Sequence, residues 1–159
     1  MDVYYRKPTA IELDKASLSL PVGGSQQLKY SLTPSHAKAS VEWSSSNPSV
    51  VSVSADGKLN ALKMGETTIT ATTDNGCTTT CMVEVLPLPV QLSLPQTLTL
   101  GVGDSHKLGV QSYPSECYLI LEWSSSDESV AAVSDNGEVK GLGTGQATVT
   151  ATASNGVSI

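Results

Sequence analysis

The amino-acid sequence repeats itself with an offset of 80 residues. Residues 18–79 align with residues 98–159 without a gap, and 26 of the 62 aligned pairs are identical. The identities fall in blocks, and the longest block, EWSSS at residues 42–46, returns at residues 122–126. Because chance does not produce ordered blocks at one fixed offset, the chain consists of two copies of a module of about 80 residues.

Alternating apolar and polar residues mark short strands with one buried face in each copy. In the first copy these runs cover residues 18–22, 28–32, 41–43, 67–71 and 81–85. Turn-forming Gly, Asn, Asp and Pro residues separate the runs, and no run has the period of a helix. About seven short strands per module and a Trp on a central strand predict an all-β fold of two tandem immunoglobulin-like β-sandwich domains.

Four sequence blocks occur in the same order in both copies. They are Leu-x-Leu-x-Val-Gly, Trp-Ser-Ser-Ser-[Asn/Asp]-x-Ser-Val, an Asp/Asn-Gly hairpin and Gly-x-x-Thr-[Ile/Val]-Thr-Ala-Thr. Together they resemble the bacterial immunoglobulin-like domain of group 2. The resemblance implies export to a bacterial surface, where such domains form stalks of adhesins of the intimin and invasin kind, or accessory modules of secreted enzymes. It implies no catalytic residues, and it makes Trp43 and Trp123 determinants of the fold.

The repeat divides the chain into three segments. Residues 1–8 are expected to be a leader, the tail of a preceding repeat, followed by one domain at residues 9–86 and another at residues 87–159. The first copy continues past Thr79 into an alternating run, whereas Ile159 is the counterpart of Thr79. We therefore expect the second domain to lack its last strand and the chain to be a window from a longer array.

The charge and hydropathy of the chain argue against two classes of partner. Fifteen acidic residues outnumber nine basic residues, and the formal net charge is −6. No basic surface for a phosphate backbone is expected, and hence no nucleic-acid partner. No stretch approaches the roughly 18 to 20 apolar residues that span a bilayer, so we expect no direct membrane insertion. The amino end lacks the apolar core of a signal peptide, and an export signal would lie outside these residues.

Several apolar positions are predicted to form the two cores. Trp43 and Trp123 alternate with exposed glutamates, which favours burial of the indoles over stacking on a sugar ring. The predicted core positions, paired between the copies, are Trp43 and Trp123, Leu28 and Leu108, and Ile69 and Val149.

Tyr118 and Ile120 stand where the first copy has Lys38 and Ser40. They occupy alternate positions of a predicted strand, on the face that is expected to point to solvent. With Tyr113 nearby in sequence, they predict an apolar patch on the second domain and a candidate contact with a partner. The alternatives are a cover for the missing strand, a contact with a neighbouring domain, or ordinary packing.

The ionisable side chains predict no catalytic or metal site. His36 and His106 occupy non-equivalent positions, so no triad recurs in the two copies. Four carboxylates of the second copy could offer oxygen ligands to Ca²⁺, but their spacing matches no calcium loop, and solvated acidic turns are the favoured interpretation. These carboxylates are Asp127, Glu128, Asp135 and Glu138. No cofactor is expected.

The three cysteines, Cys77, Cys81 and Cys117, are odd in number and lack the spacing of a metal site. On one extended strand Cys77 and Cys81 would lie about 13 Å apart, beyond the reach of a disulfide. All three are therefore expected to be free thiols.

These observations predict a non-enzymatic, extracellular module of a bacterial cell surface or a secreted protein. It would act as a stalk or spacer, contact neighbouring immunoglobulin-like repeats of its own chain, and bind a protein or glycan ligand. The alternative is an accessory spacer or weak carbohydrate-binding module of a secreted enzyme that acts on glycans. Fold alone does not decide between them.

Overall fold

A computed structural model describes residues 5–159, and all regular secondary structure in this range is β-strand. The predicted all-β fold is confirmed. The chain divides into two compact units, of which the first ends at Pro87 and the second runs from Leu88 to Ile159. Residues 1–4 of the predicted leader lie outside the described residues. No helix suited to crossing a membrane occurs in the described part of the chain.

Nine strands form the first unit within residues 5–87. Their bounds are β1 Ala10–Leu13, β2 Ser17–Pro21, β3 Ser25–Gln27, β4 Tyr30–Thr33, β5 Val41–Ser45, β6 Val51–Val53, β7 Lys58–Ala61, β8 Gly65–Thr73 and β9 Thr78–Leu86. One sheet has the order β2-β9-β8-β5, a second has the order β3-β7-β6, and β1 pairs with β4. This arrangement is the predicted sandwich, with nine strands in place of about seven, and β8 and β9 extend beyond the predicted runs at residues 67–71 and 81–85.

The core of the first unit lies between the two larger sheets and takes side chains from both. Burial of apolar side chains of this kind is the main stabilising contribution to a small sandwich domain. The buried members are Leu20, Leu28, Val50, Val51, Leu59, Ala61, Ile69, Cys81, Val83 and Val85.

Strand β9 is a central strand of the larger sheet of the first unit and lies between β2 and β8. It runs parallel to β2, with Ser17 opposite Met82, and antiparallel to β8, with Ile69 opposite Cys81. Its inward side chains are at most 2% exposed, whereas Met82 points outward and is 60% exposed. The alternation predicted for residues 81–85 is therefore present, with one face in the core.

The predicted alternating strand at residues 28–32 differs in the structure. Leu28 is 1% exposed, but Tyr30 is 44% exposed. The chain leaves the β3-β7-β6 sheet after Gln27, the Leu28 N–H donates to the carbonyl of Gly57 at 3.0 Å, and β4 then pairs with β1. A change of sheet at this point breaks the two-residue period, so the alternation prediction is wrong here.

Seven strands form the second unit within residues 88–159. Their bounds are β10 Gln91–Ser93, β11 Ser105–Lys107, β12 Gln111–Tyr113, β13 Leu121–Ser125, β14 Ala131–Val133, β15 Glu138–Gly141 and β16 Val149–Ala153. Strands β10 and β12 pair, β11-β15-β14 form a sheet, and β13 pairs with β16. These strands repeat the first unit except that none of the residues 88–159 forms a counterpart of β2 or β9.

Candidate functional site

Strands β10 and β12 carry two apolar side chains that are exposed to solvent. Tyr113, the last residue of β12, is 69% exposed, and Val90, directly before β10, is 66% exposed. The Val90 N–H donates to the Tyr113 carbonyl oxygen at 2.8 Å. The two residues therefore lie at the same end of the β10–β12 strand pair.

The segment between β12 and β13 carries the other two predicted contact residues. Ile120, directly before β13, is 53% exposed, whereas Tyr118 is half-buried. Residues 114–120 form no strand. Alternation therefore does not set the direction of their side chains, and Tyr118 departs from the solvent-facing direction that the sequence pattern predicts. The Cys117 Sγ lies 3.4 Å from the Ser112 Oγ and ties this segment back to β12.

The same four positions are polar in the first unit. The counterparts of Val90, Tyr113, Tyr118 and Ile120 are Thr9, Thr33, Lys38 and Ser40. The Lys38 Nζ lies 4.1 Å from the centroid of the Tyr5 ring, a contact between a cation and an aromatic face. We call these four apolar residues the second-unit patch, a name that refers to their shared apolar character and to their common difference from the first unit.

Val90 is a member of this patch that sequence reasoning missed. Its equivalence to Thr9 is evident from the structure, since the Thr9 N–H donates to the Thr33 carbonyl at 2.7 Å, as Val90 does to Tyr113. The offset between the copies is 81 residues in this region rather than 80. Aligning the buried pair Ile11 and Leu92 would have shown the shift.

The two indoles are half-buried, and each lies against a glycine of its own unit. Trp43 is half-buried against the core of the first unit, and its ring centroid lies 6.3 Å from that of Tyr30. A Cβ on Gly57 would lie 2.6 Å from the Trp43 Cζ2, and a Cβ on Gly137 would lie 2.6 Å from the Trp123 Cζ2. In both units, therefore, the missing Cβ of a glycine leaves the space that the indole ring occupies.

The other predicted core positions differ between the units. Leu28 and Ile69 of the first unit are at most 1% exposed, and Leu108 of the second is 8% exposed. Val149, the counterpart of Ile69, is only half-buried. Val149 is therefore less covered than Ile69, which lies beside β9 in the first unit.

The carboxylates of the second unit lie in exposed turns. The Asp127 Oδ1 accepts hydrogen bonds from the Ser129 Oγ at 2.5 Å and the Ser129 N–H at 3.0 Å, and these bonds lower the pKa of Asp127. Asn47 has the same role in the first unit, where its Oδ1 accepts from the Ser49 Oγ at 2.6 Å. The Asp127 carboxylate thus has a structural role, which is to stabilise its own turn. The remaining three, Glu128, Asp135 and Glu138, are exposed.

No cluster of three or more potential metal ligands occurs in the described part of the chain. His36 and His106 are exposed and lie in different units. All three cysteines are free thiols; Cys81 is buried, and Cys77 and Cys117 are half-buried. Burial raises the pKa of Cys81, so its reactive thiolate form is disfavoured.

The sequence matches the family of bacterial Ig-like domains of group 2 over residues 8–83 and again over residues 89–158. The chain belongs to this family. The match confirms the resemblance of both copies, and the two matched regions fall on the two units of the structure.

Two relatives are similar in sequence to most of this chain. An uncharacterized protein of Clostridium acetobutylicum is 35% identical over 153 residues, which is 93% of this chain and 16% of that protein. An alpha-L-arabinofuranosidase of Bifidobacterium longum is 32% identical over 133 residues, which is 76% of this chain and 12% of the enzyme. The chain thus spans less than a fifth of the length of either relative.

Among solved structures, domains 4 and 5 of the S-layer protein SbsC match the tandem Ig-like domains over 97% of both chains. The sequence identity is 17% and the TM-score is 0.43. The assignment to the group 2 Ig-like family therefore rests on the sequence match and on the strand topology.

Proposed function

We propose that this chain is a non-enzymatic pair of spacer domains in a bacterial cell-surface or secreted protein, where neighbouring Ig-like repeats of the same protein are its immediate partners. The family assignment supports this role. The observation that carries it is the parallel pairing of β2 with β9 in the first unit. This pairing suits a domain that transmits tension between the repeats on its two sides.

The β2–β9 pair joins an early strand of the first unit to its last strand. Five residue pairs connect them, from Ser17 with Met82 to Pro21 with Leu86. Beyond these pairs, the Met82 N–H donates to the Ala16 carbonyl and the Val22 N–H donates to the Leu86 carbonyl, each at 3.0 Å. Because the strands are parallel, pulling the ends of the unit apart slides one strand along the other. The force is then shared by all of these hydrogen bonds at once.

We expect the first unit to resist force strongly in this direction and weakly in another. Attachment points at Lys15, which lies between β1 and β2, and at Leu88 of the full chain load the β2–β9 pair in shear. Attachment points at Lys15 and Asp74 peel it, because Asp74 lies in the turn before β9, at the end of β9 that is next to the start of β2. Single-molecule force spectroscopy should give a higher median unfolding force for the first geometry.

Both pulling geometries use the same protein with the same free energy of unfolding. A difference in unfolding force therefore reports the direction of pulling alone. Val22→Pro removes the outermost N–H donated to β9 at a side chain that is 38% exposed. It should lower the unfolding force in shear and leave the peeling force unchanged. Equal forces in the two geometries of the unmodified chain would refute the tension-bearing role.

A second function, weak contact of the second-unit patch with a glycan, is favoured by the exposed ring of Tyr113 and by the relationship to an arabinofuranosidase. Aromatic rings beside aliphatic side chains are common at binding surfaces. In this case the chain would be an accessory module of a secreted enzyme that acts on glycans. The spacer role does not depend on this contact.

Replacing the four patch residues with their first-unit counterparts tests this contact. The same fold already carries these residues at the equivalent positions of the first unit. The variant carries Val90→Thr, Tyr113→Thr, Tyr118→Lys and Ile120→Ser. In affinity electrophoresis with soluble arabinan, the unmodified chain should be retarded and the variant should not. If both migrate as they do without arabinan, the patch has no part in binding this glycan.

A further inference from the structure

The chain enters each unit at a proline whose carbonyl oxygen accepts a hydrogen bond from an asparagine side chain. In the first unit the Asn75 Nδ2 donates to the Pro8 carbonyl at 2.8 Å. In the second unit the Asn155 Nδ2 donates to the Pro89 carbonyl at 2.7 Å. Because the same contact occurs in both copies, it is a feature of the fold and not of one loop.

The peptide group that follows each proline is bonded on both sides. Pro8 and Pro89 are themselves buried. The next N–H, that of Thr9 or Val90, donates to the carbonyl of the last residue of β4 or β12. One peptide group thus connects β4 or β12 to the turn that carries the asparagine.

Each of these asparagines precedes a glycine in a tight turn. The Gly76 N–H donates to the Thr73 carbonyl at 3.0 Å, and the Gly156 N–H donates to the Ala153 carbonyl at 2.8 Å. Both glycines are exposed, and nothing lies within 4 Å of a Cβ built on either of them. The backbone of both turns therefore has room to move.

An asparagine that precedes a glycine can lose its side-chain amide without an enzyme. The deprotonated glycine nitrogen attacks the asparagine Cγ, ammonia leaves, and water opens the resulting cyclic imide to aspartate or isoaspartate. The product has a carboxylate, which accepts hydrogen bonds and donates none. It cannot bond to the proline carbonyl and leaves this oxygen without the donor.

We propose that Asn75 and Asn155 clamp the chain that enters each unit, and that deamidation of either residue opens its clamp. The bond to the proline restricts the rotation of the asparagine side chain that the attack requires, so a closed clamp slows the reaction. Conversion to aspartate then keeps the clamp open. In the second unit the entering chain is the connection from the first unit, and opening the clamp lengthens the part of this connection that is free to move.

The two clamps differ in their number of supporting contacts. The Cys77 Sγ also donates to the Pro8 carbonyl at 3.4 Å, and the Thr73 Oγ1 donates to the Oδ1 of the clamp asparagine at 2.6 Å. Val157 and Ala153 stand at these two positions in the second unit. Loss of the asparagine amide should therefore have the larger effect on the second clamp.

A third Asn-Gly pair, Asn136 and Gly137, provides a matched control. The Asn136 Oδ1 accepts from the Ser134 Oγ, and its Nδ2 donates to no other residue in the part of the chain that the structure describes. Gly137 is buried, and a Cβ there would lie 2.6 Å from the Trp123 Cζ2, so this turn is held by the indole. The first unit carries Asp56 at the position of Asn136, so an aspartate fits this turn.

The first test compares Asn75→Asp, Asn155→Asp and Asn136→Asp in the full 159-residue chain. All three variants place a carboxylate before a glycine and add the same charge. Hydrogen exchange of the Val90 N–H should become about tenfold faster in Asn155→Asp, and that of the Thr9 N–H about threefold faster in Asn75→Asp, the range of one hydrogen bond. Asn136→Asp should change neither rate. The amides of β5 and β13 should exchange as before in all variants, since the opening is local.

The second test follows deamidation of the unmodified chain at mildly alkaline pH by peptide mapping with mass spectrometry. In the folded chain, aspartate and isoaspartate should form at Asn75 and Asn155 before they form at Asn136. In urea the clamps and the packing on Trp123 are absent, so all three sites should react faster and at similar rates.

Three results would overturn the proposal. One is unchanged exchange of Val90 in Asn155→Asp and of Thr9 in Asn75→Asp. Another is an equal acceleration of β5 or β13, or the same acceleration in Asn136→Asp, because either would mean that the added charge destabilises a whole unit. The third is conversion of Asn136 before the two clamp residues in the folded chain.

Discussion

Gly57→Ala should destabilise the first unit by about 3 to 4 kcal/mol. Gly57 has a φ of +86°, a left-handed conformation that costs an L-residue about 1 to 2 kcal/mol. In addition, a Cβ at this position would lie 2.6 Å from the Trp43 Cζ2, so the indole or the hairpin must move. The free energy of unfolding can be measured by urea titration with Trp43 fluorescence in a Trp123→Phe background.

Gly23→Ala is the matched control for this substitution. Gly23 has a φ of +83°, but nothing lies within 4 Å of a Cβ built there. It should cost about 1 kcal/mol, from the backbone alone. If Gly57→Ala and Gly23→Ala cost the same, the close packing of the indole on Gly57 is wrong. Trp43→Leu should remove most of the difference between the two alanine variants, because it deletes the ring that the Cβ meets; unfolding of these variants is followed by circular dichroism, since the Trp43 fluorescence is lost.

The first unit should be more stable than the second by about 3 kcal/mol in the 159-residue chain. Burial of Cys81, Val83 and Val85 contributes about 4 to 6 kcal/mol in total, and ordering the strand takes back part of this gain. The described second unit has no strand in this place and exposes the side chains on either side of it. Urea unfolding followed residue by residue by NMR should therefore show two transitions, the second unit unfolding first.

Val83→Ala provides the control for this difference. Val83 is 1% exposed, and its truncation should lower the stability of the first unit by about 2 kcal/mol without affecting the second. The two transitions should then approach each other. A single transition for both units in the unmodified chain would show that β9 does not account for the difference between them.

Much of the fold could be predicted from the repeat and the two-residue alternation. The runs at residues 41–43, 67–71 and 81–85 lie within β5, β8 and β9, because one face of each strand packs on the core. Such a strand must alternate, whatever its neighbours are. The family could likewise be identified from four short blocks, since they mark the positions that the core and the turns require.

Sequence pattern alone could not predict where a strand changes sheet or loses its partner. Residues 97–101 have nearly the pattern of β2, yet they form no strand, because strand formation depends on the neighbouring strand that supplies the hydrogen bonds. The direction of Tyr118 was missed for a related reason, since alternation applies only within a strand. Val90 was missed because the offset between the copies changes by one residue upstream of the aligned region.

The central claim of this account is that pairing with β9 orders the two segments that flank it, since residues 97–101 and 145–148, which have no such partner within residues 88–159, form no strand. Hydrogen exchange of the free 159-residue chain tests it most directly, because equivalent segments can be compared within one molecule. Exchange should be slow at residues 17–21 and 65–68, which flank β9, and fast at their counterparts 97–101 and 145–148, while β5 and β13 are both protected. Equally slow exchange at both sets of flanking segments would contradict the claim.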